Sequence, residues 1–167
     1  FTPATINIEV HAEKDLNAED EKLLNTLASS IRTTAKFADT PANELTTTVY
    51  VEEVLKLAKA VGVETEVIQG EELKEKGFGG IYSVGRAAVT PPAFVRLTHT
   101  PKGAKKTFAL VGKGIIYDTG GMTLKQRQGM CGMKRDMTGS ASMLGAFLTL
   151  VQSGFTENLH ALLCIAE

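Results

Sequence analysis

Four charged residues, Lys113, Asp118, Lys125 and Asp136, fall within one stretch, V-G-K-G-I-I-Y-D-T-G-G-M-T-L-K, which M-K-R-D soon follows. Ammonium and carboxylate groups at the end of an apolar strand need partners, or each costs several kcal/mol. A divalent cation would serve both aspartates, because carboxylate oxygens are ordinary ligands for such ions. Each residue also has a plainer reading. Asp118, before T-G-G, fits an Asx-turn. Asp136, before T-G-S-A-S, fits a helix cap. Lys113, between glycines, is either a solvent-facing strand end, a neutral ligand or a phosphate binder. Spacing alone leaves these readings open.

Other chemistries fit less well. V-G-K-G lacks the upstream glycine and following Ser or Thr of a phosphate-binding loop, and the last position of G-K-G-I-I-Y is Tyr117 rather than the glycine of a dinucleotide fingerprint. The three histidines are far apart, and no Ser stands in G-x-S-x-G. His160, in an apolar run, reads as a core histidine with a local partner. Cys131 sits in a loop beside Gly132, with no neighbouring feature that marks a reactive thiol.

Several elements must position the charged run. Asn17 is a candidate cap for a helix through Phe37, with Glu19, Asp20 and Glu21 in its first turn and Leu23, Leu24, Leu27 and Ile31 on one face. A second helix follows Thr46–Thr48, with Val51, Val54, Leu55 and Ala58 inward, and Gly62 ends it. Ile6, Ile8 and Val10 alternate as in a strand. V-E-T-E-V-I and A-F-V-R-L-T-H read as further strands, and Tyr82–Ala88 as a glycine-bearing connection. T-F-A-L-V reads as a buried strand running into G-K-G. Ser140–Gln152 reads as a helix with Leu144, Phe147, Leu148 and Val151 inward. L-H-A-L-L-C-I closes as a strand apolar on both faces, which belongs in mid-sheet. Helices alternating with such strands favour a mostly parallel sheet covered on both sides.

Composition bounds the rest. At 167 residues, one domain with a real core is expected. A formal charge of −1, with basic residues scattered, gives no electrostatic case for nucleic acid or an anionic membrane. No apolar run reaches the roughly 18 residues of a membrane span. Two cysteines, Cys131 and Cys164, are too few for a disulfide framework and suggest a reducing compartment, hence a cytoplasmic location. The chain opens on Phe1 and stops at C-I-A-E, and the expectation is a piece of a longer protein.

The charged run closely resembles the first half of the active-site signature of the leucyl aminopeptidase family, G-K-G-x-x-[FY]-D-[ST]-G-G-x-x-x-K. D-T-P-A-N-E-L-T, G-F-G-G-I-Y-S-V-G-R-A-A and L-H-A-L-L-C-I-A-E resemble other stretches of that family's catalytic domain. The resemblance implies a three-layer α/β sandwich with a mixed, mostly parallel sheet. Residues 1–38 would be a strand and linker helix ending an N-terminal domain, and residues 39–167 the first half of the catalytic domain. It implies two divalent metal ions, Zn or Mn, with Lys113, Asp118 and Asp136 as ligands. Lys125 would be a catalytic cation, and Met133 would line the pocket for the substrate's first side chain. It also implies peptide substrates and a homo-hexamer. The family's second segment, N-T-D-A-E-G-R, is absent from these residues, so the site here is incomplete and this chain alone is expected to be inactive. Thr138 stands where the family usually has Gly. A non-catalytic member with an assembly role is the alternative.

Overall fold

A computed structural model describes residues 5–7, 9, 11, 13 and 15–167. The strand expected around Ile6–Val10 rests on Ile8 and Val10, which lie outside the described residues. Among the described residues, no helix is long and apolar enough to cross a membrane.

Helix α1 spans Ala18–Asp39, and Asn17 caps it as expected, its side chain accepting from the N–H groups of Glu19 and Asp20. Helix α2, Thr47–Ala60, is capped by Thr46, which accepts from Val49 N–H. Tyr50, Val51, Val54 and Ala58 form its buried face. Gly62, at φ 72°, turns the chain out of it. Strand β1, Glu64–Gln69, leads to two short helices, α3 (Glu71–Glu75) and α4 (Gly79–Gly85). The stretch Tyr82–Ala88 is therefore half helical, not a plain connection. Tyr82 Oη donates to Glu71 across the two helices. Gly85 sits so close to Pro92 that a Cβ would lie 2.4 Å from the ring.

Strands β2 (Ala93–His99), β3 (Thr107–Ile115) and β4 (Asn158–Ala166) complete a sheet ordered β1-β2-β4-β3. After β3 come a single helical turn, α5 (Arg127–Met130), and helix α6, Thr138–Gln152, which leads to β4. The sheet is mixed with helices on both sides, but its parallel share is smaller than the helix–strand alternation suggested. Only β3 and β4 run parallel; β1–β2 and β2–β4 are antiparallel. The cause is connectivity: the short loop after β2 reverses the chain, and β4 then inserts between β2 and β3.

One face of the sheet carries Ala93, Val95 and Leu97 of β2 and Leu159, Ala161, Leu163 and Ile165 of β4, all buried with Val54 of α2 and Leu144 and Phe147 of α6. Each large side chain so buried contributes about 1.5–3 kcal/mol. On the other face Phe94 stacks on Phe78, ring centroids 4.8 Å apart. His160 hydrogen-bonds Thr98 through Nδ1 at 3.0 Å, so it has a local partner.

One expectation about burial fails. T-F-A-L-V is an edge strand, and Phe108 and Val111 are exposed. The apolar face of α1 is also open, with Leu23, Leu24, Leu27 and Ile31 exposed. Instead, α1 meets α6 through small polar residues. Thr149 Oγ1 donates to Ser30 Oγ at 2.8 Å, and Thr34 Oγ1 donates to the Ala141 carbonyl.

Candidate functional site

The site begins with the glycines of V-G-K-G. Lys113 lies within β3 rather than after it, because the strand continues to Ile115. A Cβ at Gly112 would come within 2.4 Å of Ser140 Cα, and one at Gly114 within 2.9 Å of Ser140 Oγ. Only a strand bare of side chains on that face lets α6 approach so closely. A Cβ at Gly139 would in turn meet the Lys113 carbonyl at 3.1 Å. The start of α6 thus lies directly on the segment that carries Lys113.

This approach brings Asp136 to Lys113, although 23 residues of sequence separate them. Lys113 Nζ stands 2.7 Å from Asp136 Oδ2. That oxygen is buried and has no aligned hydrogen bond, so the pair is a contact of charges and not a closed donor–acceptor bond. Asp136 does not cap α6, whose N-cap, Met137, makes no side-chain cap bond. The cap reading of Asp136 is thereby removed.

Asp118 follows the strand. Its Oδ1 accepts from Gly120 N–H at 2.9 Å, which is the Asx-turn anticipated from D-T-G-G. The chain then doubles back: Gly120 bridges to Leu124, and Lys125 N–H donates to the Thr119 carbonyl. Gly120, at φ 99°, is required in this turn, since a Cβ would lie 2.4 Å from the Thr123 carbonyl. The return carries Lys125 Nζ to within 3.3 Å of Asp118 Oδ2. The Gly120 N–H first, and the Lys125 ammonium after it, hold the Asp118 carboxyl below the usual carboxylate range, with a smaller pull from Lys113.

All four predicted charged residues therefore meet in two ion pairs, Lys113–Asp136 and Lys125–Asp118. Among the described residues, no three His, Cys, Asp or Glu side chains converge as a metal set. One amine and two carboxylates nevertheless suit a divalent cation as part of a ligand set, and the buried Asp136 oxygen faces the Lys113 ammonium without an aligned hydrogen bond. Beside Asp118, Gly120 and Gly121 opens a cleft of about 730 Å³, walled by Val84, Val89, Ile115 and Tyr117. Met133 is half-buried on the 3-10 turn Met133–Arg135 that leads to Asp136. Lys134, beside it, donates to the Asp39 carbonyl and ties this turn to the end of α1. Thr138 starts α6 with its hydroxyl buried and unpaired.

Tyr50 and Ser140 carry no sequence signal of a site, yet their hydroxyls meet at 2.9 Å, and Ser140 packs against the glycines on either side of Lys113. Tyr50 does fall on the helical period of Val54 and Ala58, which marks it as inward but says nothing of its partner.

Comparison with known proteins shows the family. The cytosol aminopeptidase family, catalytic domain, matches residues 32–167. Leucine aminopeptidase 1 of Caenorhabditis elegans is 52% identical over 162 residues, covering 97% of this chain and 33% of that relative. The solved structure of the Caenorhabditis elegans leucine aminopeptidase superposes with a TM-score of 0.89 at 53% identity, covering 91% of this chain and 31% of its own. The bottromycin maturation enzyme BotP in complex with Mn superposes with a TM-score of 0.79 at 31% identity, over 90% of this chain and 32% of its own. The chain thus spans about a third of the length of these proteins.

Proposed function

We propose, since the chain belongs to the cytosol aminopeptidase family, that it supplies part of the metal site and the catalytic lysine of a metal-dependent aminopeptidase. The observation that carries this reading is the convergence of Lys113, Asp118, Lys125 and Asp136 in two ion pairs at one strand end. The substrates are peptides, from which N-terminal residues are released. In this reading residues 1–38 are a strand and linker helix, and residues 39–167 are the first half of the catalytic domain.

Lys113, Asp118 and Asp136 would hold divalent cations, two Zn or Mn ions, which supply Lewis-acid polarisation of the scissile carbonyl and the attacking water. Lys113 would bind as a neutral amine, its proton given up to solvent, and Asp136 beside it as a carboxylate. Lys125 stays an ammonium. Released from Asp118, it can donate to the oxyanion that forms on the carbonyl. Met133 lines the apolar pocket for the first side chain. Three ligand side chains are too few for a two-ion site, so the 167 residues by themselves are expected to be inactive. The full-length protein is read as a cytoplasmic homo-hexamer, in keeping with the two free cysteines and the family's character.

The test is hydrolysis of a leucine anilide by the full-length protein, with metal content measured alongside. Lys113→Ala should lose bound Mn or Zn. Lys125→Ala should keep the metal and lower kcat about 10²-fold or more, as for loss of an oxyanion donor. Equal metal loss in both variants would contradict the roles given to the two lysines. Activity unaffected by either variant would sink the proposal.

A further inference from the structure

We infer, resting on the reading of Lys113 and Asp136 as ligands, that the buried hydroxyl pair Tyr50–Ser140 is a positioning latch that sets the approach of Asp136 to Lys113. Both residues are fully enclosed, at 0% exposure. Their oxygens lie 2.9 Å apart, and Ser140 Oγ also lies 2.8 Å from the Met137 carbonyl, to which it donates. The serine's one proton is thereby used, so the Tyr50 phenol is the donor to Ser140. A relay runs from α2, through Ser140, to the carbonyl of Met137, the residue after Asp136.

The same serine is wedged against the strand. Its Cα faces Gly112 and its Oγ faces Gly114, each too close to admit a Cβ without movement. These two glycines bracket Lys113. The residue that Tyr50 grips therefore touches β3 on both sides of one ligand and holds the carbonyl of the residue that follows the other. Neither hydroxyl reaches a ligand atom, so both act through position alone. A general core role would be shared by another buried hydroxyl link of α6, Thr149 to Ser30, which is 2.8 Å long but sits near the far end of that helix. That link supplies the control.

The experiment uses the protein at its full native length and follows Mn²⁺ binding by the paramagnetic resonance signal of the free ion. Tyr50→Phe and Ser140→Ala should each raise the Mn²⁺ Kd about tenfold or more, the usual scale for groups that orient metal ligands. The double variant should be no weaker than the weaker single, because both cut one relay. Thr149→Val should lower the melting temperature at least as much as Tyr50→Phe and leave the Kd unchanged. A metal-free measurement accompanies these: the stability coupling of Lys113→Met with Asp136→Asn should be lost in a Tyr50→Phe background. Wild-type Mn²⁺ affinity in Tyr50→Phe, or coupling that survives it, overturns the latch. If the unaltered protein binds no Mn²⁺, or binds it equally after Asp136→Ala, the metal reading has failed, and the metal-free coupling alone decides the latch.

Discussion

Asp118 has two partners of different kind, and they can be separated. Gly120 N–H donates to Oδ1, while Lys125 faces Oδ2 across 3.3 Å. The carboxyl is held below its ordinary range chiefly by the backbone donor. A carboxyl lowered in the folded state contributes stability that is present above the unfolded pKa and is lost as pH falls through the folded one. Metal-free protein should therefore lose stability on acidification from the ordinary carboxylate range downward. Asp118→Asn keeps an oxygen for Gly120 N–H but has no charge to lose, so its denaturant midpoint should vary less with pH over that acid range. A midpoint that falls with acid as steeply as in the unaltered protein would assign the loss to other carboxylates. At Met133 the expectation concerns choice more than rate. Met133→Ala should shift preference toward bulkier first residues by about 1–3 kcal/mol at most. An unchanged ranking of alanine, leucine and phenylalanine substrates would put Met133 outside the pocket.

Helices and strands were legible where local chemistry decides them. Asn17 announces the cap of α1, since a side-chain oxygen there satisfies two N–H groups whatever lies around it. Gly62 ends α2 for an equally local reason. Three features were not legible because their cause lies elsewhere in the fold. Lys113 belongs to β3 since pairing with β4 continues through Ile115, and that pairing depends on a strand 40 or more residues away. Asp136 meets a lysine rather than capping α6, a consequence of how α6 lands on β3. The short helix α4 forms through glycines that propensity counts against it. The charged run itself stood out because its types and spacing are unusual for a strand end; which charge faces which is a tertiary fact. The glycine contacts give an element-level prediction. Gly112→Ala would drive a methyl into the backbone of α6 and should cost about 1–3 kcal/mol or more. Gly80→Ala, on helix α4 with nothing within 4 Å, should be neutral or stabilise by up to about 1 kcal/mol. Denaturant midpoints decide both, and a tolerated Gly112→Ala would mean that α6 can move off β3 at little cost.

At the scale of the whole molecule, the distribution of apolar surface predicts association. The reading of L-H-A-L-L-C-I as a mid-sheet strand holds, for β4 is paired on both sides. The sheet's edges are β1 and β3, and the one with exposed large apolar side chains is β3. It pairs with β4 on one side only and exposes Phe108 and Val111, with Val111 at 62%. A second apolar surface runs along α1, where Leu23, Leu24, Leu27 and Ile31 are exposed together. An unpaired edge carrying apolar side chains is a template for another strand, and an apolar helix stripe is a template for another helix. The 167-residue chain expressed alone should therefore self-associate, as size-exclusion with light scattering would register. The two surfaces can be told apart. Val111→Lys places a charge on the edge, where lysine blocks strand pairing, and Val111 is exposed enough that little folded-state stability is lost. Ile31→Glu, at 66% exposure, does the same to the helix stripe. If edge pairing dominates, Val111→Lys should yield the monomer and Ile31→Glu should not; the reverse outcome would assign association to α1. A chain that runs as a clean monomer without either substitution would refute both templates, and would mean that solvated Phe108, Val111 and the α1 leucines are tolerated as they stand.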